Sequence, residues 1–433
     1  MSDRRQFAVI VAATALAYVN ALGGTFQFDD YSVIVEQPVV HTWSAWLASM
    51  PGIRPLLKAS YALSWSLAPS AWVFIVFNAG CHAANACLVY VLARRWAAEF
   101  HGSATRPAHM ALFTALVFAL HPAQTEAVTY IAGRSVSLMA LFYLGALCAH
   151  QYGRRGFSVA LFAAAMMVRE TAWTLPFALV LIEAARGRRG HAMWRAAHWH
   201  FALLAACAAG ALALPAYRAM LARSLEVRGP LANLSAQVDG IAYLVSHPLL
   251  TLRLSIDPEI AICPIGLPWT AVALALALLA AAGFWWLRRR PLAGFAILWF
   301  LLQLVPTNSL LARLDLANDR QLYLALTGPA LLVAAALAAI RSTRVAALVA
   351  TGLVIVLGVA TILRNRDYVS EVALWEATAR TSPGKARVWN NLGYAWHLAG
   401  DPDKAVAAYR RALALDPGEY KARANLELLE RHY

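Results

Sequence analysis

The chain has 433 residues, 61% of them hydrophobic against 14% charged, and a mean hydropathy of +0.55. That excludes a soluble globular protein, whose charged fraction runs near one quarter, and points to an all-α polytopic membrane protein. The net charge of +14 therefore calls for a membrane explanation, and nucleic acid is not an expected partner.

The opening MSDRRQ is basic, and the apolar run behind it, 7–23, has no small-residue cleavage site, so it reads as a retained first span. A span needs about 20 apolar residues. The runs 7–23, 72–93, 110–120, 135–149, 157–168, 172–183, 201–221, 269–287, 292–305, 322–340 and 345–363 predict about 11 transmembrane helices, several of them short. Arg94 with Arg95, Arg154 with Arg155, and the basic stretches 186–189, 288–290 and 341–344 fall on alternate sides together with the N-terminus. By the positive-inside rule these connectors are cytoplasmic. Eleven spans starting inside then put the C-terminus outside, in the periplasm if the membrane is the inner membrane of a Gram-negative bacterium.

Between the spans, the long outer segment 222–268 contains SAQVDGIAYLVSHPLLTLRLSIDP, 235–258, with an apolar middle. A full crossing there would carry 288–290 to the wrong side, so an interfacial or re-entrant helix is expected, with His247 as a helix-end residue. Cys81, Cys87, Cys148, Cys207 and Cys263 show neither metal-ligand spacing nor a disulfide framework and read as small packing residues.

This topology sorts the polar residues. Arg54, Lys58, Arg134, Arg169 and Arg320 fall on the outer side, where the positive-inside rule does not account for them, and a bound phosphate does. Asp29 and Asp30 in FQFDDYSVIVEQP, with Glu126, Glu170 and Asp319, lie at outer ends of spans. Ionisable groups near hydrocarbon are costly and are kept for function. Taken pair by pair, Arg169 with Glu170 and Asp319 with Arg320 also read as interfacial ion pairs.

After Arg366 the composition turns soluble and helical. ARVWNNLGYAWHLAGDPDKAVAAYRRALALDP, 386–417, follows the tetratricopeptide pattern at Trp389, Leu392, Gly393, Tyr394, Gly400, Ala405, Tyr409, Ala412 and Pro417. VALWEATARTSP before it and KARANLELLERHY after it read as flanking helices. Two domains are expected, 1–366 in the membrane and 367–433 as the periplasmic repeat. A unit this small needs neighbours to bury its core, and it serves either as a protein-binding groove or as a cap over the site.

The assembled order, FDD after the first span, RPL (54–56), FNAGCHAANA, ALHPAQTEAVTYIAGR, RET, NDRQLYL and then the repeat, resembles the transmembrane-and-tetratricopeptide-repeat (TMTC) family of O-mannosyltransferases and its bacterial relatives, which have a GT-C membrane fold. The resemblance runs from about Phe26 to the C-terminus and rests on order, not on one specific motif. It implies a glycosyltransferase passing mannose or a similar hexose from a polyprenyl-phosphate donor to a protein acceptor on the outer face. It also implies that an acid of the first outer loop, Asp29 or Asp30 here, is the catalytic base. The repeat array is shorter than in animal members, and RET stands where the animal pattern has a lysine before the glutamate.

Such a transfer needs a carboxylate to take the acceptor's proton and cations on the leaving phosphate. Asp30 is the expected base, with Asp29 second, since adjacent side chains point apart and only one faces the acceptor. Arg320 and Arg169 are the first expected phosphate ligands, followed by Arg134, Arg54 and Lys58. His121, Glu126, Glu170, Asp319 and Tyr323 line the same cavity as substrate-binding or arginine-orienting groups, although His121 before Pro122 also reads as a plain helix cap. Tyr323 and Trp173 also read as interfacial aromatics. No cofactor is expected, and a divalent metal on Asp29, Asp30 and Glu126 ranks below metal-independent transfer. A lipid or glycan acceptor, a non-catalytic membrane-anchored assembly factor, and a transporter are the competing readings; the last predicts mid-membrane charges, whereas these cluster at one face.

Overall fold

The structure is a computed structural model describing residues 3–100, 107–248 and 254–432. Met1 and Ser2 of the basic opening, 249–253 of the long outer segment and Tyr433 of the last flanking helix lie outside the described residues. Among the described residues all regular structure is helical, with no strand. The helices are α1 (Asp3–Tyr18), α2 (Trp43–Ala48), α3 (Pro55–Leu67), α4 (Ala71–Phe100), α5 (Pro107–Leu120), α6 (Thr125–Val128), α7 (Arg134–Gln151), α8 (Arg155–Val168), α9 (Leu175–Ala185), α10 (His191–Ala213), α11 (Pro215–Val227), α12 (Pro230–Ser246), α13 (Leu267–Arg289), α14 (Pro291–Leu304), α15 (Leu322–Ala325), α16 (Thr327–Ala338), α17 (Thr343–Asn365), α18 (Glu371–Thr381), α19 (Ala386–Leu398), α20 (Pro402–Leu415) and α21 (Tyr420–His432). Proline opens α3, α11, α12, α14 and α20, where its missing N–H leaves no helical bond unmade.

Six helical stretches are long and apolar enough to cross a membrane: Asp3–Gly23, Ala71–Phe100, Ile131–Gln151, His191–Ala213, Leu267–Arg289 and Thr343–Tyr368. A seventh is counted if Asp319–Ala325 and Thr327–Ala338, bent by 54°, form one span. Among the described residues, six or seven spans of full length stand against the about 11 helices, several of them short, expected from hydropathy. The runs at 110–120, 157–168, 172–183 and 292–305 fold as helices of 11 to 14 residues, roughly 16 to 21 Å long against a hydrocarbon core of about 30 Å. Three of them stop where polar turns begin: α5 at His121, α8 at Arg169 and α14 before the loop 305–318. In the long outer segment, α12 buries Asn233, Ala236, Gln237, Gly240 and Leu244.

Helix α4 organises the bundle, packing along α1, α5 and α7, while α14 packs on α9, α13 and α16, and α17 lies on α1 and α5. Its two ends are chemically distinct. Near one end Asn78 accepts from Arg134 Nε at 2.7 Å. Near the other, Arg95 Nη1 donates to the Gln151 carbonyl at 2.6 Å and Arg94 pairs with Asp3 at 2.5 Å. Arg134 and Gln151 bound α7, so the ends are roughly 25 Å apart at 1.5 Å per residue. The basic connectors gather at the second end, and the DD doublet and the repeat at the first.

The repeat helices bury a period-3.6 face. In α19 this is Val388, Leu392 and Ala395, packed into one core with Leu374 and Trp375 of α18, Ala408 of α20, and Tyr130 and Ile256 of the bundle. Arg387 grips Asp257 and Asp315, its Nε lying 2.8 Å from Asp257 Oδ2, and Lys385 also reaches Asp257. The repeat therefore packs on the bundle end as well as on itself. A Cβ on Gly393 would lie 2.6 Å from the Tyr409 ring, so Gly393→Val should loosen α19 from α20 by about 1–3 kcal/mol. Limited proteolysis of the full chain is expected to cut within 386–417 faster than in wild type; unchanged cleavage would contradict this packing.

Candidate functional site

The doublet lies in a tight turn. Phe28 takes the left-handed conformation, φ 47°, uncommon for a bulky residue, and its ring packs edge-on against Trp375 at 5.0 Å. Asp30 is already helical, with φ −59° and ψ −33°, and begins the turn Tyr31–Val35. Its carboxylate points inward: Oδ1 accepts from the Ala132 N–H at 2.7 Å and Oδ2 from the Gln27 N–H at 3.0 Å. The residue is 1% exposed, and burial pushes its carboxyl up to about 8 against two donors that favour the anion. Asp30 ties the segment after α1 to the turn ahead of α7. Asp29 instead lines a cavity of about 290 Å³, shared with Tyr130, Arg313, Arg320, Trp375 and Arg387. Of the two neighbours, Asp29 borders this cavity and Asp30 is not among its lining residues.

The arginines divide in the same way. Arg134 is fully buried: Nε donates to Asn78, Nη1 to the Ser60 carbonyl and Ser64, and Nη2 to the Phe74 carbonyl, all within 3.1 Å. It stacks over Phe77, 4.3 Å from the ring centroid, so it holds α3, α4 and α7 together instead of facing a ligand. Arg54, half-buried, forks onto Glu170 at 2.7 and 3.0 Å, joining the first outer loop to the RET turn. Burial would raise the Glu170 carboxyl, but Arg54 holds it below its usual range. Lys58 on α3 makes no ion pair among the described residues.

Arg320, Arg169 and Arg313 remain. Arg320 sits over Glu126, whose Oε2 accepts the Arg320 N–H at 2.9 Å while Oε1 lies 3.4 Å from Nε. Burial pushes Glu126 up to about 7, opposed by Arg320. Arg169 has Ser135 Oγ at 2.6 Å and no carboxylate ion pair among the described residues. Burial holds its guanidinium well below the usual range, with Arg54, Arg313 and Arg320 adding to the effect. Arg169 and Arg320 line a second, smaller cavity with Gln303, Gln321 and Tyr323, so Arg320 is a wall of both. Arg313 has a buried Nη1 without a partner among the described residues, and its pKa is pushed down to about 10 by burial and by Arg320. The larger cavity sets Asp29, Asp257 and Asp315 against Arg313, Arg320 and Arg387, and Arg169 in the adjoining smaller cavity adds a guanidinium with no carboxylate ion pair among the described residues, an arrangement with donors to offer an anion.

The other expected residues support this wall. His121 caps the turn Pro122–Gln124 by accepting the Ala123 N–H at 3.2 Å, and burial lowers it to about 4, leaving it neutral. Tyr323 lines the smaller cavity, yet its hydroxyl is held by His82 at 2.7 Å and Asn85 at 2.9 Å. Asp319 accepts the Ser255 N–H at 3.0 Å. A Cβ on Gly133 would lie 2.1 Å from the Glu126 carbonyl; the close approach of these two turns requires glycine. Asp29, Asp30 and Glu126 do not converge, and among the described residues no group of three or more His, Cys, Asp or Glu is placed to hold a metal. Sequence reasoning missed Arg313, Trp375, Asp257, Asp315 and Arg387.

Asp30→Asn should replace an acceptor by a donor facing a backbone N–H and destabilise the fold by about 1–3 kcal/mol, whereas Asp29→Asn should leave the melting temperature unchanged. The raised Asp30 pKa means that folding takes up a proton, so the wild-type melting temperature falls as pH rises from 5 towards 8. Thermal unfolding across pH checks both; a wild-type slope retained in Asp30→Asn would contradict the assignment.

Residues 386–419 match the tetratricopeptide repeat family. The chain is similar to the protein O-mannosyl-transferase F38B6.6 of Caenorhabditis elegans, 28% identical over 166 residues, covering 35% of this chain and 23% of that protein. It is also similar to two protein O-mannosyl-transferases of Mus musculus: TMTC3, 25% identical over 34% of this chain and 17% of that protein, and TMTC1, 30% identical over 33% of this chain and 16% of that protein. The chain spans less than a quarter of the length of these curated relatives. No solved structure matches it.

Proposed function

We propose that this protein is a membrane glycosyltransferase that moves mannose or a similar hexose from a polyprenyl-phosphate carrier to a hydroxyl of a protein acceptor. The observation that carries this reading is that Arg313 and Arg320 face the cavity Asp29 lines, while Arg169, which has no carboxylate ion pair among the described residues, lies in the smaller cavity of which Arg320 is also a wall. The names of the relatives support the reaction class.

In this reading the acceptor oxygen attacks the anomeric carbon, the new C–O bond forms as the C–O bond to the carrier phosphate breaks, and the acceptor's proton passes to the Asp29 carboxylate. Arg320, Arg169 and Arg313 receive the charge that grows on the departing phosphate. Arg54, Glu126 and Glu170 hold the arginines in place, and Arg134 and Asp30 hold the turns. These cations do the work a metal would do, so the proposed transfer is metal-independent. The basic connectors at the opposite end of α4 and α7 support a sidedness in which the cavity and residues 367–433 lie on the outer face of the membrane bearing residues 1–366, the periplasmic side of a bacterial inner membrane. The repeat beside the cavity supplies a protein-binding surface.

Purified protein incubated with polyprenyl-phosphate mannose should release carrier phosphate and label a protein acceptor. Asp29→Asn should lower turnover by about 10² to 10⁴. Full activity of that variant would remove Asp29 as base, and a labelled lipid without labelled protein would reassign the acceptor. Activity should also survive EDTA; its loss and recovery with a divalent cation would contradict metal independence.

A further inference from the structure

At the opposite end of the bundle lies a second cavity, of about 260 Å³, independent of the transfer chemistry above. Its walls come from the ends of α4 and α7, the start of α8 and the turn after α9. Glu99 bridges Arg95 at 2.8 Å and Arg186 at 2.8 Å. Glu183, only 2% exposed, takes Arg186 at 2.5 Å and Arg188 at 2.6 Å. Arg155 lines the same cavity and has no carboxylate partner among the described residues. Four arginines against two glutamates leave two positive charges over.

Insertion into a membrane requires basic residues at this end, but not their interlocking into a concave pocket. The cavity also holds Gln151, which is 8% exposed and whose side-chain oxygen and nitrogen both lack a partner among the described residues. A buried amide left unpaired in a polar cavity awaits a ligand or water. The Gln151 carbonyl is already taken by Arg95 Nη1 at 2.6 Å, so the free donor beside the arginines is the side-chain amide.

We propose that this pocket binds a phosphate group. A phosphodiester headgroup carries one negative charge and a phosphate monoester about −1.5 to −2 at neutral pH, both within the surplus, and forked guanidinium groups with an amide donor suit the oxygens of either. The group comes either from an anionic phospholipid headgroup of that leaflet or from a free phosphate compound.

The test uses the full-length protein, delipidated in detergent. Retention of phosphatidylglycerol against phosphatidylcholine is read by native mass spectrometry, and binding of inorganic phosphate by thermal shift against chloride at matched ionic strength. The variants are Arg155→Ala with Arg188→Ala, both on exposed side chains, and separately Gln151→Leu. A control replaces Arg288, Arg289 and Arg290, which lie outside the pocket, by alanine. Selective phosphatidylglycerol retention that falls about tenfold in the pocket variants, and not in the control, supports the site with a lipid source. Saturable stabilisation by inorganic phosphate, lost in the same variants, supports it with a free source. Binding of neither probe, or equal loss in the control, overturns the proposal.

Discussion

A guanidinium buried in an apolar bundle is tolerated only if its donors are satisfied and its charge is answered, and this requirement organises the end of the bundle that carries the repeat. Arg134 meets it with neutral acceptors from α3 and α4. Arg54 meets it with Glu170, and Arg320 with Glu126. Each solution ties together turns distant in sequence, so the loops that end the short helices α5 and α8 are held in register by their own cations. Arg169 and Arg313 are answered only in part, and that deficit defines the site.

The repeat is part of the same construction. Trp375 meets Phe28 at the edge of the doublet's turn, and Arg387 grips Asp257 and Asp315, two residues from Arg313. A cap and a binding groove were alternatives in sequence; the docking makes the repeat a wall of the cavity while leaving Tyr394 and Leu398 exposed on its surface.

Much of this was legible in the sequence, because the signals were local. The helical character and the repeat pattern around Gly393 and Tyr409 followed from periodicity. The misses were tertiary. Asp29 and Asp30 were expected on extended or loop backbone with their side chains pointing apart; Asp30 is helical, and its side chain turns onto the Ala132 amide. Arg134 carried the same outer-face signal as Arg169, but hydropathy cannot show that Asn78, Ser60 and Ser64 stand ready to satisfy it. Arg313 lies among leucines in SLLARLDLAN and has no local signature. Hydropathy also counted four short helices as spans, because it measures greasiness per residue and not length.

The most direct test of a phosphate site among the outer arginines is binding of the carrier itself. Retention of polyprenyl phosphate by the purified protein should be compared with that of the uncharged polyprenol of the same length, in wild type and in Arg169→Ala with Arg313→Ala. Preferential retention of the phosphate by wild type, falling towards the polyprenol level in the double variant, is expected. Equal retention of both lipids by wild type would contradict it.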